Sequence, residues 1–89
     1  MKANDNSPFP KRLMQIRKRM GLSQKQLGIQ AGLDEIVASA RMNQYERDVN
    51  TPDFKTVMAL SAILKVPTAF LFCVEDDLAE NIFIWSLKK

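Results

Sequence analysis

The chain has 89 residues, of which 46% are hydrophobic, so it has room for one domain with a modest core. It has no histidine and a single cysteine, which excludes an intrachain disulfide and any metal site or nucleophile that depends on histidine. Its net charge of +3 is uneven, since residues 1–22 have six basic and one acidic residue (+5) and residues 74–89 have two basic and four acidic residues (−2). The basic end is suited to binding a polyanion.

Neither membrane insertion nor secretion is expected. No apolar run is long enough to span a bilayer, and residues 1–7 lack the apolar segment of a signal peptide. Cys73 lies in the apolar stretch 70–74, which predicts a buried thiol and fits a reducing cytoplasm. We therefore expect a cytoplasmic protein.

A polar and flexible arm, residues 1–8, is predicted to precede the first helix. Pro10 suits a first helical turn, Gly21 suits the end of the helix, and Ser23 can N-cap a second helix that reaches about Ala31. Four apolar residues recur at spacings of four, three and four, which is typical of one buried helical face: Phe9, Leu13, Ile16 and Met20.

A glycine turn separates the second helix from the third. Gly32 suits the left-handed conformation of this turn, and Leu33 is expected to fill the corner. Either Asp34 or Ser39 can N-cap the third helix. Two apolar residues of this helix, three apart, are expected to face inward: Met42 and Tyr45.

Three further helices are predicted after the polar loop at residues 46–52. The fourth has apolar residues at helical spacing and ends before Val66-Pro67: Phe54, Val57, Leu60 and Leu64. A short apolar helix covers about residues 68–73. The last helix starts near Asp76 and Asp77 and ends near Lys88 and Lys89, charges that suit its dipole. No strand is expected, so the predicted fold class is all-α.

The last helix has more apolar residues than packing on one side of a small bundle needs: Leu78, Ile82, Phe83, Ile84, Trp85 and Leu87. One explanation is a partner surface, for which a symmetric homodimer is attractive because two-fold dimers are the commonest soluble oligomers. The other is that these residues cover the core of the chain itself. The sequence does not decide between them.

Residues 11–73 resemble the lambda-repressor-like, Cro-type helix-turn-helix family. The resemblance depends on four segments in order: Leu22-Ser23-Gln24-Lys25-Gln26-Leu27-Gly28, Ala31-Gly32, Tyr45-Glu46-Arg47 and Pro52-Asp53-Phe54. It implies a compact five-helix DNA-binding domain over residues 9–73, in which the second helix braces the DNA backbone and the third enters the major groove. Residues 74–89 would then be an additional C-terminal helix.

The chain departs from the family pattern in two places. Between Gly32 and Glu46 it has about four extra residues, 34–37, which either lengthen the third helix at its N-terminal end or form a loop before Ser39. We favour the loop. Gly28 stands where the family usually has alanine, which permits close approach of the two helices but weakens the second by up to about 1 kcal/mol.

Five residues of the third helix match the base-contacting positions of the family: Ser39, Ala40, Arg41, Asn43 and Gln44. Arginine pairs with guanine, and asparagine or glutamine with adenine, through two hydrogen bonds in the major groove. Ser39 and Ala40 are small enough for close approach to bases. Singly, Asn43 and Gln44 would be ordinary solvated residues, but within this motif DNA contact is the better interpretation.

Phosphate contacts are expected to supply most of the affinity. Gln24 and Lys25 begin the second helix, whose N-terminus favours anions. Four other candidates are equally consistent with ordinary surface residues: Lys11, Arg12, Arg47 and Asn50. The family pattern also implies that Arg17 and Glu46 form an ion pair that holds the third helix.

The leading functional hypothesis is a homodimer that binds a palindromic operator in double-stranded DNA and represses transcription, with activation left open. The alternative is an antitoxin-like or adaptor module that binds a second protein through Leu78, Ile82 and Trp85 of the last helix. An enzyme is disfavoured, because no residue set suited to catalysis is evident. No cofactor, metal or membrane partner is expected.

Overall fold

Residues 7–88 are described by a computed structural model, and this part of the chain has six α-helices and no strand. The helices are α1 (Phe9–Arg19), α2 (Gln24–Gln30), α3 (Glu35–Glu46), α4 (Phe54–Leu64), α5 (Thr68–Leu71) and α6 (Asp76–Leu87). The all-α architecture of five helices with an additional C-terminal helix is confirmed. Most of the predicted arm, residues 1–6, lies outside the described residues, as does Lys89. Within residues 7–88, no helix has both the length and the apolar character needed to cross a bilayer.

The predicted helix ends follow from local chemistry. Ser23 N-caps α2 in a reciprocal arrangement: its hydroxyl accepts from the backbone N–H of Gln26, and the Gln26 side chain accepts from the Ser23 N–H. Gly21 and Gly32 have φ of +74° and +98°, a region in which other residues are strained. The first three helices are therefore separated where the sequence predicts.

The start of α3 corrects the sequence prediction. Residues 34–37 do not form a loop, because Asp34 is the N-cap and its Oδ1 accepts from the Ile36 N–H at 2.9 Å. Helical hydrogen bonding starts at once, with the Val37 N–H donating to the Asp34 carbonyl at 3.1 Å. Nothing in Glu35-Ile36-Val37-Ala38 breaks a helix, and Ser39 lies inside it. The extra residues lengthen α3 at its N-terminal end.

All six helices contribute buried side chains to one hydrophobic core. Its largest fully buried side chains are Leu13, Ile16, Leu27, Met42, Leu60, Leu64 and Leu71. Cys73 is buried, as expected for an unreactive thiol. Two residues predicted on buried faces are instead exposed, Met20 at 39% and Phe54 at 63%. Met20 follows the last residue of α1, and Phe54 is the first residue of α4.

Arg12 is buried rather than available to DNA. Its Nε donates to the Cys73 carbonyl at 3.0 Å, and its Nη2 donates to the Val74 carbonyl at 3.3 Å and to Asp76 Oδ1 at 2.9 Å. The guanidinium thus joins α1 to the segment that leads into α6. This placement corrects the prediction of Arg12 as a phosphate contact.

Candidate nucleic-acid interface

The α2–α3 pair is closely packed because α2 has no side chain at Gly28. A Cβ added there would lie 2.9 Å from the Ala38 Cβ, 3.0 Å from the Ala38 carbonyl oxygen and 3.0 Å from the Met42 Cγ. Real Cβ atoms essentially never approach to less than 3.0 Å. Glycine therefore sets the separation of the two helices, and with it the position of α3.

The predicted base-contacting residues lie on the part of α3 that faces away from the core. The buried side of α3 consists of Ala38, Met42, Tyr45 and Glu46. Ser39, Ala40 and Arg41 are exposed, and Asn43 and Gln44 are half-buried. Since each residue advances by about 100° around a helix, Arg41 and Asn43 lie near opposite edges of this surface. The structure thus exposes the five side chains along a broad face and not as one cluster.

A buried ion pair connects this surface to α1. Arg17 Nε donates to Glu46 Oε2 at 2.5 Å and Nη2 donates to Glu46 Oε1 at 3.1 Å. Gln24 Nε2 donates to the same Oε1 at 3.1 Å and to Asn43 Oδ1 at 3.3 Å. Hydrogen bonds therefore run from α1 through Glu46 and Gln24 to a predicted base-contacting side chain.

The neighbouring Gln44 is held in a similar way by the loop that follows α3. Its Oε1 accepts from Asn50 Nδ2 at 2.9 Å, and its carbonyl accepts from the backbone N–H groups of Val49 and Asn50. Both half-buried amides of α3 are thus hydrogen-bonded to a residue predicted to contact phosphate. These two connections fix side-chain orientation before any ligand binds.

The remaining phosphate candidates have exposed side chains. Lys25 Nζ lies 3.6 Å from Glu35 Oε2, which joins the first turns of α2 and α3 across the surface. Arg47 follows the last residue of α3. Lys11 is exposed on α1, with Nζ 3.3 Å from Asp76 Oδ1. Lys25 and Arg47 flank α3 at its two ends, whereas Lys11 is paired with α6.

The family of this domain is decided by a comparison with protein-family models. A model described as helix-turn-helix matches residues 13–71, which include α2, the glycine turn and α3. The chain belongs to the lambda-repressor-like helix-turn-helix family. It is therefore a DNA-binding protein of the class that regulates transcription, a class that is generally non-enzymatic.

A solved structure with similar sequence has the same helix-turn-helix fold. The crystal structure of the transcriptional regulator BswR is 51% identical to this chain, with a TM-score of 0.84. The match covers 88% of this chain and 77% of that chain. No curated protein gives a match.

The helix-turn-helix also exposes a residue that the sequence prediction missed. Ile36, in the first turn of α3, is 90% exposed, more than any other large apolar side chain in residues 7–88. The sequence analysis named both Asp34 and Ser39 as possible N-caps, and favouring a loop over residues 34–37 left Ile36 outside the helix. Once Asp34 begins the helix, Ile36, Ala40, Asn43 and Arg47 share one face at spacings of four, three and four.

Proposed function

We propose that this helix-turn-helix protein represses transcription by binding a palindromic operator as a homodimer in the cytoplasm. The observation that supports the proposal best is the bracing of Asn43 and Gln44, whose amides are hydrogen-bonded to Gln24 and Asn50 on the exposed side of α3. Amides held before binding lose less conformational entropy when they contact a base.

In the proposed complex, α3 enters the major groove and its side chains distinguish base pairs. Asn43 and Gln44 pair with adenine, and Arg41 pairs with guanine near the opposite edge of the helix. Ser39 and Ala40 are small, so the helix backbone approaches the base edges closely. The sequence preference of the protein therefore depends on these five residues.

Phosphate contacts position α3 and supply most of the affinity. Gln24 and Lys25 contact the backbone from the start of α2, with Arg47 and Asn50 beyond the end of α3. Lys11 is a weaker candidate because Asp76 is its immediate partner. These contacts do not discriminate between sequences, so they lower the affinity for all DNA when removed.

Dimerisation is proposed to use α6. Leu78 is 50% exposed and Trp85 54% exposed, with Ile82 half-buried between them in sequence. A two-fold dimer would present two α3 helices to half-sites about 34 Å apart, one turn of DNA. Repression would follow from exclusion of RNA polymerase at an operator that overlaps a promoter.

The direct test is selection of bound duplexes from a randomised DNA pool at near-physiological salt, where nonspecific attraction is suppressed. We expect an enriched palindrome with half-sites one helical turn apart. Enrichment of a single half-site would contradict the homodimer. No enrichment by folded protein would contradict sequence recognition and favour the second candidate, an antitoxin-like or adaptor module that binds another protein through the exposed apolar residues of α6.

Arg41→Ala and Lys25→Ala separate base contact from phosphate contact on the selected operator. We expect Arg41→Ala to weaken operator binding by about 1–3 kcal/mol and to relax preference at one base pair, with little effect on random DNA. Lys25→Ala should weaken binding to both DNAs similarly and reduce the salt dependence. Equal losses on operator and random DNA for Arg41→Ala would overturn its assigned role.

A further inference from the structure

The first turn of α3 presents an apolar side chain where the rest of the exposed face is small or polar. Ile36 is 90% exposed, whereas Ala40 and Asn43, the next residues on the same face, offer a methyl group and an amide. Scattered exposed apolar residues are ordinary on protein surfaces. Ile36 differs in its position, about one helical turn N-terminal to Ala40 and about two turns N-terminal to Asn43, both predicted to contact bases.

This turn is held in place by several contacts. Asp34 caps it, Lys25 pairs with Glu35 at 3.6 Å, and Ala38 is fully buried against Gly28. Ile36 is therefore fixed on a helix and aligned with Ala40, about 6 Å further along the axis.

The major groove offers one apolar group to such a side chain. Isoleucine cannot donate or accept a hydrogen bond, and among the base edges in the major groove only thymine carries a methyl group, at C5. Helix-turn-helix proteins contact bases chiefly with the N-terminal residues of the recognition helix. Ile36 has both the chemistry and the position for this contact.

We propose that Ile36 determines sequence preference by packing on the C5-methyl group of a thymine, at a base pair next to those contacted by Ala40 and Asn43. The proposal rests on the proposed function, because it requires α3 to enter the major groove. It assigns a role to the four extra residues that lengthen α3: they extend the contacted sequence beyond the five residues expected from the family.

The test removes the thymine C5-methyl group and the Ile36 side chain, first separately and then together. Each thymine of the selected operator half-site is replaced by deoxyuridine, which lacks only the C5-methyl group, and binding by the wild-type protein and by Ile36→Ala is measured. We expect one replacement to weaken wild-type binding about fourfold per half-site, the effect of burying one methyl-sized group. Ile36→Ala should be insensitive to that replacement and retain its sensitivity elsewhere.

Val37→Ala is the matched control, because Val37 is an exposed β-branched neighbour that points about 100° away around the helix. It should keep the wild-type response to every deoxyuridine. The thermal stability of both variants is measured as well, and Ile36→Ala should be as stable as the wild type because its side chain is exposed.

Four results would overturn the inference. An operator whose half-sites respond to no deoxyuridine, or an Ile36→Ala variant that keeps the wild-type response, would contradict it while leaving sequence-specific binding intact. Unchanged operator affinity in Ile36→Ala would do the same. Failure of the pool selection itself would overturn both this inference and the proposed function.

Discussion

The Arg17–Glu46 ion pair connects folding to the DNA-binding surface. The Glu46 side chain is 2% exposed and the Arg17 side chain 11% exposed. Arg17 also donates to the Leu22 carbonyl at 2.9 Å, and among the described residues no buried side-chain N or O lacks a hydrogen bond. Since Glu46 holds Gln24, and Gln24 holds Asn43, loss of the arginine would disturb the exposed face of α3 as well as the core.

Removing the arginine alone should therefore be costly. We expect Arg17→Ala to lower the free energy of unfolding by about 3–5 kcal/mol, because it leaves a buried carboxylate without its counter-ion. Lys25→Ala, which breaks the exposed pair with Glu35, should cost less than about 1 kcal/mol. Denaturant unfolding of both variants measures the difference. Equal losses of unfolding free energy in the two variants would show that the buried Arg17–Glu46 pair stabilises the fold no more than an exposed pair.

A methyl group at Gly28 is the smallest change that tests the α2–α3 separation. Alanine would gain up to about 1 kcal/mol in helix propensity, but its Cβ would lie 2.9 Å from the Ala38 Cβ, and overpacking of this kind costs about 1–3 kcal/mol. We expect Gly28→Ala to destabilise the protein in thermal unfolding. In the double variant with Ala38→Gly the combined loss should be smaller than the sum of the two single losses. A stabilised Gly28→Ala would contradict the close contact.

The start of α3 shows which features of an element can be predicted from sequence. Caps and glycine turns are local, so Pro10, Gly21, Ser23 and Gly32 indicate the ends of α1 and α2 correctly. Asp34 and Ser39 are both good N-caps, so local chemistry does not choose between them. The observed helix starts before Ser39 and buries Ala38 against Gly28 of α2. This is a contact between two helices, so the local sequence does not reveal it.

The role of Arg12 was unpredictable for the same reason. In the sequence Lys11 and Arg12 are adjacent cations on one helix, yet Lys11 is exposed and Arg12 is buried. The carbonyls that receive Arg12 belong to Cys73 and Val74, about sixty residues away in the chain. The sequence analysis did not single out Ile36, because it favoured a loop over residues 34–37. A residue in a loop would have no fixed position relative to Ala40.

Two alanine substitutions distinguish the two possible starts of α3. Asp34→Ala removes the observed N-cap and should lower the free energy of unfolding by about 1 kcal/mol. Ser39→Ala places a better helix former at an exposed position inside the helix, so stability should stay the same or rise slightly. Chemical denaturation of both variants gives the comparison. A larger loss for Ser39→Ala would restore Ser39 as the N-cap and residues 34–37 as a loop.

The stability that the contact between α1 and α6 contributes to the fold should depend on pH. The hydrogen bond from Arg12, followed by that from Lys11, lowers the pKa of Asp76 below its ordinary value of 3.8. A carboxylate with a lowered pKa in the folded state stabilises the fold above its unfolded pKa, and this contribution is lost as the pH falls through the folded value. We expect Asp76→Asn to destabilise the protein at neutral pH, by an amount that shrinks below about pH 3.8.

Asp77→Asn is the control for this pH dependence. It removes a charge from the same first turn of α6, so it matches the helix-dipole effect without removing a partner of Arg12. Urea unfolding of the three proteins from neutral pH to pH 2 provides the profile. A destabilisation by Asp76→Asn that is constant over this range, or equal to that of Asp77→Asn, would contradict the assigned role of the Arg12 contact.

At the scale of the whole molecule, α6 has one face for the core and one for solvent. Ala79 and Phe83 are buried, with the Phe83 ring 6.3 Å from that of Phe70 and beneath the Arg19 guanidinium at 4.0 Å. Part of the helix therefore covers the core of the chain itself. The exposed large apolar side chains of this helix are Leu78, Ile84, Trp85 and Leu87.

Homodimerisation through Leu78, Ile82 and Trp85 of α6 predicts that one substitution changes both the oligomeric state and DNA binding. Leu78→Glu places a charge on the proposed interface, so sedimentation should shift from dimer to monomer while the fold is retained. Trp85 is the only tryptophan in the chain, and its emission should move to shorter wavelength with concentration in the wild type but not in the variant. Binding to the full palindrome should fall strongly, because each half-site is then bound independently, whereas binding to an isolated half-site should be unchanged.

Phe54→Glu, which places a charge at an exposed aromatic residue of α4, is the control and should leave the dimer intact. A wild type that sediments as a monomer on and off DNA would exclude the α6 dimer, since no second copy would then cover this face.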